Sequence, residues 1–169
     1  RYMRIRPWTL FCLLALLAAF FVCPACAQSA GNGADFVYTL DGGKATIVYY
    51  TGSETGTLYL PEQLDGHPVT AIGQAAFLGS KFTSVVIPAG VTFITPGVFG
   101  NCYDLTFIEV AAGNPVYEQA DGVLFDKTQK MLHSYPIARG AAGYQVPQGT
   151  VSIGTGAFFG CEQLASITL

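Results

Sequence analysis

Apolar residues in this chain return at fixed intervals. Three stretches carry one pattern: residues 71–88 (AIGQAAFLGSKFTSVVIP), 93–110 (FITPGVFGNCYDLTFIEV) and 152–169 (SIGTGAFFGCEQLASITL). The last two align without a gap, and the first needs one deletion near Ser80-Lys81. Ile72, Ile94 and Ile153 coincide. So do Ala76, Val98 and Ala157, then Phe77, Phe99 and Phe158, then Phe82, Leu105 and Leu164. Each stretch closes on apolar residues two apart: Val85 with Ile87, Ile108 with Val110, Ile167 with Leu169. Residues two apart point to one face of a strand, so each repeat predicts a short strand with an inward pair and one outward residue between them.

The strand motif recurs more often than the whole repeat. Leu58-Tyr59-Leu60-Pro61 and Tyr144-Gln145-Val146-Pro147 carry it as well. The five motifs start at residues 58, 85, 108, 144 and 167, spaced 27, 23, 36 and 23 residues apart. A period of 23 with insertions falls in the range of leucine-rich repeats, about 20–29 residues. Pro after a strand cannot donate to a ladder and ends it. The predicted fold is a repeat solenoid, a β-rich leucine-rich repeat with short parallel strands and short helical turns. All five strands are expected side by side, about 4.8 Å apart, with Phe77, Phe99 and Phe158 buried in the turns on the far side. Residues 34–50 (ADFVYTLDGGKATIVYY) read as a hairpin around Asp41-Gly42-Gly43, an N-terminal cap for the first coil's edge. Residues 114–136 lengthen one coil, and turn signals around Val123-Leu124-Phe125 suggest a projecting hairpin.

The run Ile-Gly-x-x-Ala-Phe-x-Gly-Cys-x-x-Leu-x-x-Ile-x-Leu is complete at 153–169. It resembles the BspA-like leucine-rich-repeat family of bacterial surface proteins. The insert Asn114-Pro115-x-Tyr117 … Asp121-Gly122-Val123-Leu124-Phe125 … Tyr135-Pro136 looks like a recurrent variant of that family. The resemblance covers about residues 56–169, two-thirds of the chain. It implies the solenoid fold strongly, and adhesion or protein and matrix binding more broadly. The copy at 93–110 departs from the pattern, with Thr95-Pro96 in place of the glycine and Asn101 for another.

Mean hydropathy is high, +0.41, with 51% hydrophobic residues. Much of that is one segment, Leu10 to Val22, thirteen residues without a polar side chain. Arg4 and Arg6 precede it and Ala25-Cys26-Ala27 follows, the layout of a secretory signal peptide. The run is shorter than the roughly 18–20 residues of a permanent membrane anchor. The expected organisation is a signal peptide over 1–27, a cap hairpin over 28–55, and repeats over 56–169 with the inserted hairpin at about 114–136. No capping segment follows Leu169, so the repeats are expected to continue or to be capped beyond it, and the isolated fragment to self-associate through that edge. Beyond residue 27 the chain keeps five Lys and Arg against eleven Asp and Glu, a net charge of −6. Such a surface disfavours nucleic acid and anionic membranes. Only Cys102 and Cys161 remain after cleavage. The strand Tyr144–Val146 between them places them two coils apart, about 10 Å, beyond the roughly 7 Å a disulfide tolerates. Two free, buried thiols are expected.

Catalysis needs converging titratable groups, and the sequence offers few. His67 sits in the turn Asp65-Gly66-His67-Pro68, and His133 is a lone imidazole assigned a structural role. Asp121 and Asp126 read as turn residues, not as a calcium loop or glycosidase pair. No catalytic residue, metal site or cofactor is indicated, and no enzyme. Binding would use the outward residues of the strands. One row is Tyr59, Val86, Glu109, Gln145 and Thr168, and its neighbour is Thr57, Ser84, Phe107, Gly143 and Ser166. Tyr59, Val86, Phe107 and Glu109 are the candidate binding residues, with Tyr59, Val86 and Phe107 forming an apolar patch. The expected protein is a module secreted by a bacterium or held at its surface, binding an extracellular protein or matrix ligand, with no membrane span after cleavage. The alternative is a structural spacer presenting another domain. Sequencing the N-terminus of the exported protein should give Gln28 as the first residue; a start before Leu10 would overturn the signal-peptide reading.

Overall fold

A computed structural model describes residues 33–128 and 130–169; the leader segment and its processing site lie outside the described residues. Among the described residues a 3-10 turn at Gly33–Asp35 is followed by fourteen short strands. They are β1 (Phe36–Asp41), β2 (Lys44–Tyr50), β3 (Thr57–Tyr59), β4 (Gln63–Leu64), β5 (His67–Ile72), β6 (Ser84–Ile87) and β7 (Phe93–Ile94). Then follow β8 (Phe107–Val110), β9 (Tyr117–Ala120), β10 (Val123–Asp126), β11 (Met131–Ser134), β12 (Gly143–Gln145), β13 (Ser152–Ile153) and β14 (Ser166–Thr168).

The chain winds as a β-solenoid, and the repeat pattern explains why. Parallel β3, β6 and β8 stack with Leu58, Val85 and Ile108 in register and buried, and with Tyr59, Val86 and Glu109 in register on the outer side. A second parallel ladder, on another side of each coil, sets Ile47, Ile72 and Ile94 in register through β2, β5 and β7. Threonines stand immediately before β6 and β8 in the first ladder. Thr83 donates from both N–H and Oγ1 to Gly56 O, and Thr106 does the same to Thr83 O. Between the ladders the chain turns by successive three-residue hydrogen bonds, for example Ala76 N to Gly73 O and Ser80 N to Phe77 O. These turns carry the repeated phenylalanines inward. Phe77 and Phe99 are buried and stack with centroids 5.4 Å apart and planes at 6°.

Phe158, expected in the same buried role, is only half-buried. Phe77 has Phe82 and Phe99 on either side, whereas the described aromatic neighbours of Phe158 are Tyr135 and Tyr144 alone.

The five expected strands do not form one continuous ladder. β12 and β14 pair in parallel, with Tyr144 opposite Ile167, but β8 and β12 are not neighbours. The insert comes between them, and Ile108 N donates to Gly122 O in the tip of its hairpin. Nor does the inserted hairpin project. β10 pairs antiparallel with β9 and with β11, and all four of its residues are buried. Three consecutive apolar residues leave no polar face to turn toward water. Tyr117 and Leu124 point into the core of the preceding coils, while Val123 and Phe125 belong to a second core with Leu132, Tyr135, Val146 and Ala157. The hairpin is a wall with a hydrophobic core on each side.

Asn114 fixes the wall in place. It is buried, its amide donates to Pro88 O (3.1 Å) and Val91 O (2.9 Å), and its Oδ1 accepts from Val116 N (2.9 Å) and Tyr117 N (2.8 Å). The hairpins themselves repeat. Gly73 N donates to Ile47 O and Tyr50 N to Ala76 O; in the same way Gly154 N donates to Leu132 O and Tyr135 N to Ala157 O. Both pairs, Ile47 with Leu132 and Tyr50 with Tyr135, are 85 residues apart. The β1–β2 hairpin that opens the described chain thus has a counterpart, β10–β11, inside it. On the turn side the coils meet directly across the insert: a Cβ on Gly156 (φ +69°) would lie 3.3 Å from the Gly97 Cα. Replacing Asn114 with Ala leaves Val91 O and the N–H groups of Val116 and Tyr117 without their side-chain partner, while Pro88 O keeps Val91 N, at an expected cost of about 2–4 kcal/mol. Urea unfolding should show the loss as a lower midpoint with an unchanged slope.

Candidate binding surface

The outer face of the β3–β6–β8 ladder carries the four candidate binding residues. Tyr59 and Val86 are partly exposed and lie on adjacent strands in register, with exposed Glu109 next in the row. Phe107 is in the neighbouring row, with Thr57 and Ser84, and is 38% exposed. Strand separation of about 4.8 Å brings these four side chains into one small patch. The Phe107 ring also lies across the backbone of Gly122 at the hairpin tip, where a Cβ would overlap it. Gly122 has φ +76°, so glycine suits both the turn and the ring packed on it. The remaining members of the two rows, Gln145 and Gly143 with Thr168 and Ser166, sit on the separate β12–β14 ladder. The rows are therefore interrupted, not continuous over five coils.

The titratable groups are scattered. His67 is partly exposed and its Nδ1 lies 3.1 Å from Gly43 O. Among the described residues no group of three or more His, Cys, Asp and Glu is placed to hold a metal ion. Asp126 is buried and its Oδ1 accepts from Thr128 N (2.9 Å) and Thr128 Oγ1 (2.6 Å), a local turn. Asp121, with φ +51°, is also a turn residue. Cys102 and Cys161 are both free, but only Cys102 is buried; Cys161, expected to be buried too, is half-exposed. Burial pushes the Cys102 thiol up to about 12 and raises that of Cys161. A thiol held protonated is a weak nucleophile. Each Sγ instead lies near a carbonyl of the preceding coil, Phe77 O at 3.6 Å and Tyr135 O at 3.8 Å.

His133 is buried and its role is structural. Its Nε2 lies 3.1 Å from Ile94 O, while Ile94 N donates to the Tyr117 hydroxyl at 2.9 Å. These two side chains take the place of a next strand at the edge of β7, and their rings meet edge to face at 5.5 Å. The pair is not apparent from sequence spacing, because Tyr117 and His133 lie on different strands, 23 and 39 residues from their partner.

With this geometry in view, known proteins offer a comparison. The family model described as BspA type leucine rich repeat region matches residues 57–128 and 142–169, in six copies. A leucine-rich repeat protein from Eubacterium ventriosum is similar in structure at 25% identity and a TM-score of 0.58, covering 69% of this chain and 30% of that one. The T. pallidum leucine-rich repeat protein is similar at 25% identity and a TM-score of 0.59, covering 83% of this chain and 72% of its own. The pneumococcal vaccine antigen PcpA, at 19% identity and a TM-score of 0.50, shares the fold over 68% of this chain and 39% of its own. This chain thus spans less than a third of the length of the Eubacterium protein. No curated protein matches it significantly.

Burial of His133 lowers its proton affinity, and this outweighs the opposing effects of its bond to Ile94 O and of nearby Asp126. The folded state therefore holds the imidazole neutral, while the unfolded chain takes up a proton near its ordinary value of about 6.5. The stability this contributes is present above that pH and is lost as pH falls below it, by up to about 1.4 kcal/mol per pH unit. Thermal unfolding should show a melting temperature that drops as pH falls below about 6.5. His133→Gln should be less stable at pH 8 and lack that drop.

Proposed function

Because this chain belongs to the BspA-type leucine-rich-repeat family, we propose that it is a non-catalytic recognition module, secreted by a bacterium or held at its surface, that binds an extracellular protein or matrix component. The observation that carries the reading is the outward patch of Tyr59, Val86, Phe107 and Glu109, which the ladder register assembles from three coils. The aromatic side chains of Tyr59 and Phe107, in adjacent rows of a stacked sheet, offer large contact area at low entropic cost. Glu109 at its border supplies orientation more than affinity. Among the described residues no helix is long and apolar enough to cross a membrane. The acidic balance and the absence of a basic stripe argue for a protein ligand over nucleic acid.

The competing reading is a structural spacer that presents another domain. The two differ in what the patch does. Tyr59→Ala combined with Phe107→Ser should lower binding of the exported protein to immobilised extracellular-matrix proteins by about 30-fold or more, as for loss of a hot spot of about 2 kcal/mol. The folded structure should survive, because both residues are on the outer face. Unchanged binding with these substitutions would favour the spacer.

A further inference from the structure

The two corresponding hairpins differ by one strand. Around the insert the sheet runs β13–β11–β10–β9, whereas around the first hairpin it runs β5–β2–β1 and stops. The correspondence is otherwise close. β2 and β11 each pair in parallel with a strand of the following coil. Each hairpin also carries a register shift at one step, between Val37 and Tyr38 and between Leu124 and Phe125. Matching the cross-strand partners, Tyr49 with Ser134 and Ile47 with Leu132, sets Val37 on Leu124 and Tyr38 on Phe125. β10 uses its other edge to take up β9 antiparallel, with Phe125 opposite Glu118. On that edge of β1 there is no strand among the described residues.

The edge is also fit for pairing. Asp41 and Lys44 flank the two-residue turn Gly42-Gly43, and residues so placed exchange both hydrogen bonds. Bonding alternates along the strand, so Thr39 bonds toward β2 as well, while Tyr38 and Leu40 turn their N–H and C=O groups to the open edge. Edge strands are commonly blunted with Pro or Lys. The β1 sequence, FVYTLD, has neither. Its Val37 and Leu40 are half-exposed, whereas Leu124, the counterpart of Val37, is fully buried.

We infer that β1 pairs antiparallel with β1 of a second copy of this chain, across a two-fold axis at Thr39. Tyr38 then faces the partner's Leu40, and Leu40 the partner's Tyr38, each as a pair that exchanges both hydrogen bonds. An aromatic ring is thereby set beside an apolar side chain on both sides of the axis, and Thr39 meets the partner's Thr39. Asp41 falls opposite the partner's Val37, so no charge meets its like. Other registers that keep the bonding pattern are worse. A shift one way brings Asp41 opposite the partner's Asp35, a repulsive pair, and a shift the other way runs the strand into the Gly42-Gly43 turn. A strand complementary to itself in one register is what a two-fold contact requires, and it selects a second copy over an unrelated peptide. Each copy brings its own β3–β6–β8 patch, so on the reading proposed above the pair would hold a repetitive ligand at two points.

Sedimentation equilibrium of the exported protein should give twice the monomer mass. Leu40→Pro removes an outward donor from each copy and spares the β1–β2 bonds. It should weaken the dimer about 30-fold, the effect of two lost hydrogen bonds. Ile167→Lys, on exposed β14 at the other end of the stack, should leave the dimer unchanged. Facing residues of a pair that exchanges no bonds lie about 4.5 Å apart at Cα, within disulfide reach. Thr39→Cys in a Cys161→Ser background should therefore crosslink two chains on mild oxidation, and Lys81→Cys in the same background should not. The melting temperature of each variant checks that it folds. A monomer at every concentration would overturn the proposal. So would a dimer that Leu40→Pro leaves intact or Ile167→Lys abolishes, or crosslinking no faster with Thr39→Cys than with Lys81→Cys.

Discussion

A coil of a solenoid is stable only when the backbone groups along its strand edges find partners in the next coil. A strand edge carries a row of N–H and C=O groups, and each one buried without a partner costs about 1–3 kcal/mol. Where the repeat is regular the next coil supplies them: Leu60 N donates to Val86 O, Thr95 N to Ile72 O and Ala111 N to Ile87 O. The apolar pairs that point inward from those strands, such as Val85 with Ile87, can then stay dry. Hydrogen bonding and apolar burial are satisfied by the same step of one coil.

The insert breaks that step, and the chain meets the constraint by other means. At β8 a hairpin tip offers Gly122 O to Ile108 N. At β7 no strand arrives, and Tyr117 and His133 reach in with side chains to take up both backbone groups of Ile94. Asn114 does the same for two carbonyls of the loop at 88–91. Side chains stand in for backbone at the points where the repeat is interrupted, which explains why buried polar residues concentrate there. Among the described residues the buried polar or charged ones are Asn114, Asp126, His133 and Ser134, and all four belong to this insert.

The regular part of this structure is legible in the sequence, and the interrupted part much less so. Register across β3, β6 and β8 follows from apolar residues two apart, because a slip of one residue would turn Leu58, Val85 or Ile108 outward. Phe77 and Phe99 are legible for the same reason. The hairpin at 114–136 is recognisable from its turn residues, but a period of two or of 23 says nothing about which side of a coil an insert enters. Val123-Leu124-Phe125 held the clue, since an unbroken apolar run fits a strand covered on both faces. Tyr117 and His133 have no such signal. Each is an ordinary strand residue until the fold sets it beside Ile94. The candidate surface was partly readable: the register of Tyr59, Val86 and Glu109 follows from the repeat, whereas the packing of Phe107 on Gly122 depends on where the hairpin tip lands.

The wall has a geometric consequence for the whole stack. On the strand side β9 and β10 separate β8 from β12, while on the turn side Gly97 and Gly156 touch with nothing between them. Layers thickened on one side only cannot pile up straight. They turn the axis, as a tapered stone turns the course of an arch. A wedge of this kind opens a stack on its strand side about the contact of Gly156 with Gly97. A family that places such wedges at different points along otherwise uniform coils can change the shape of the arc, and hence the spread of whatever surface it presents, without altering a single residue of the repeat itself.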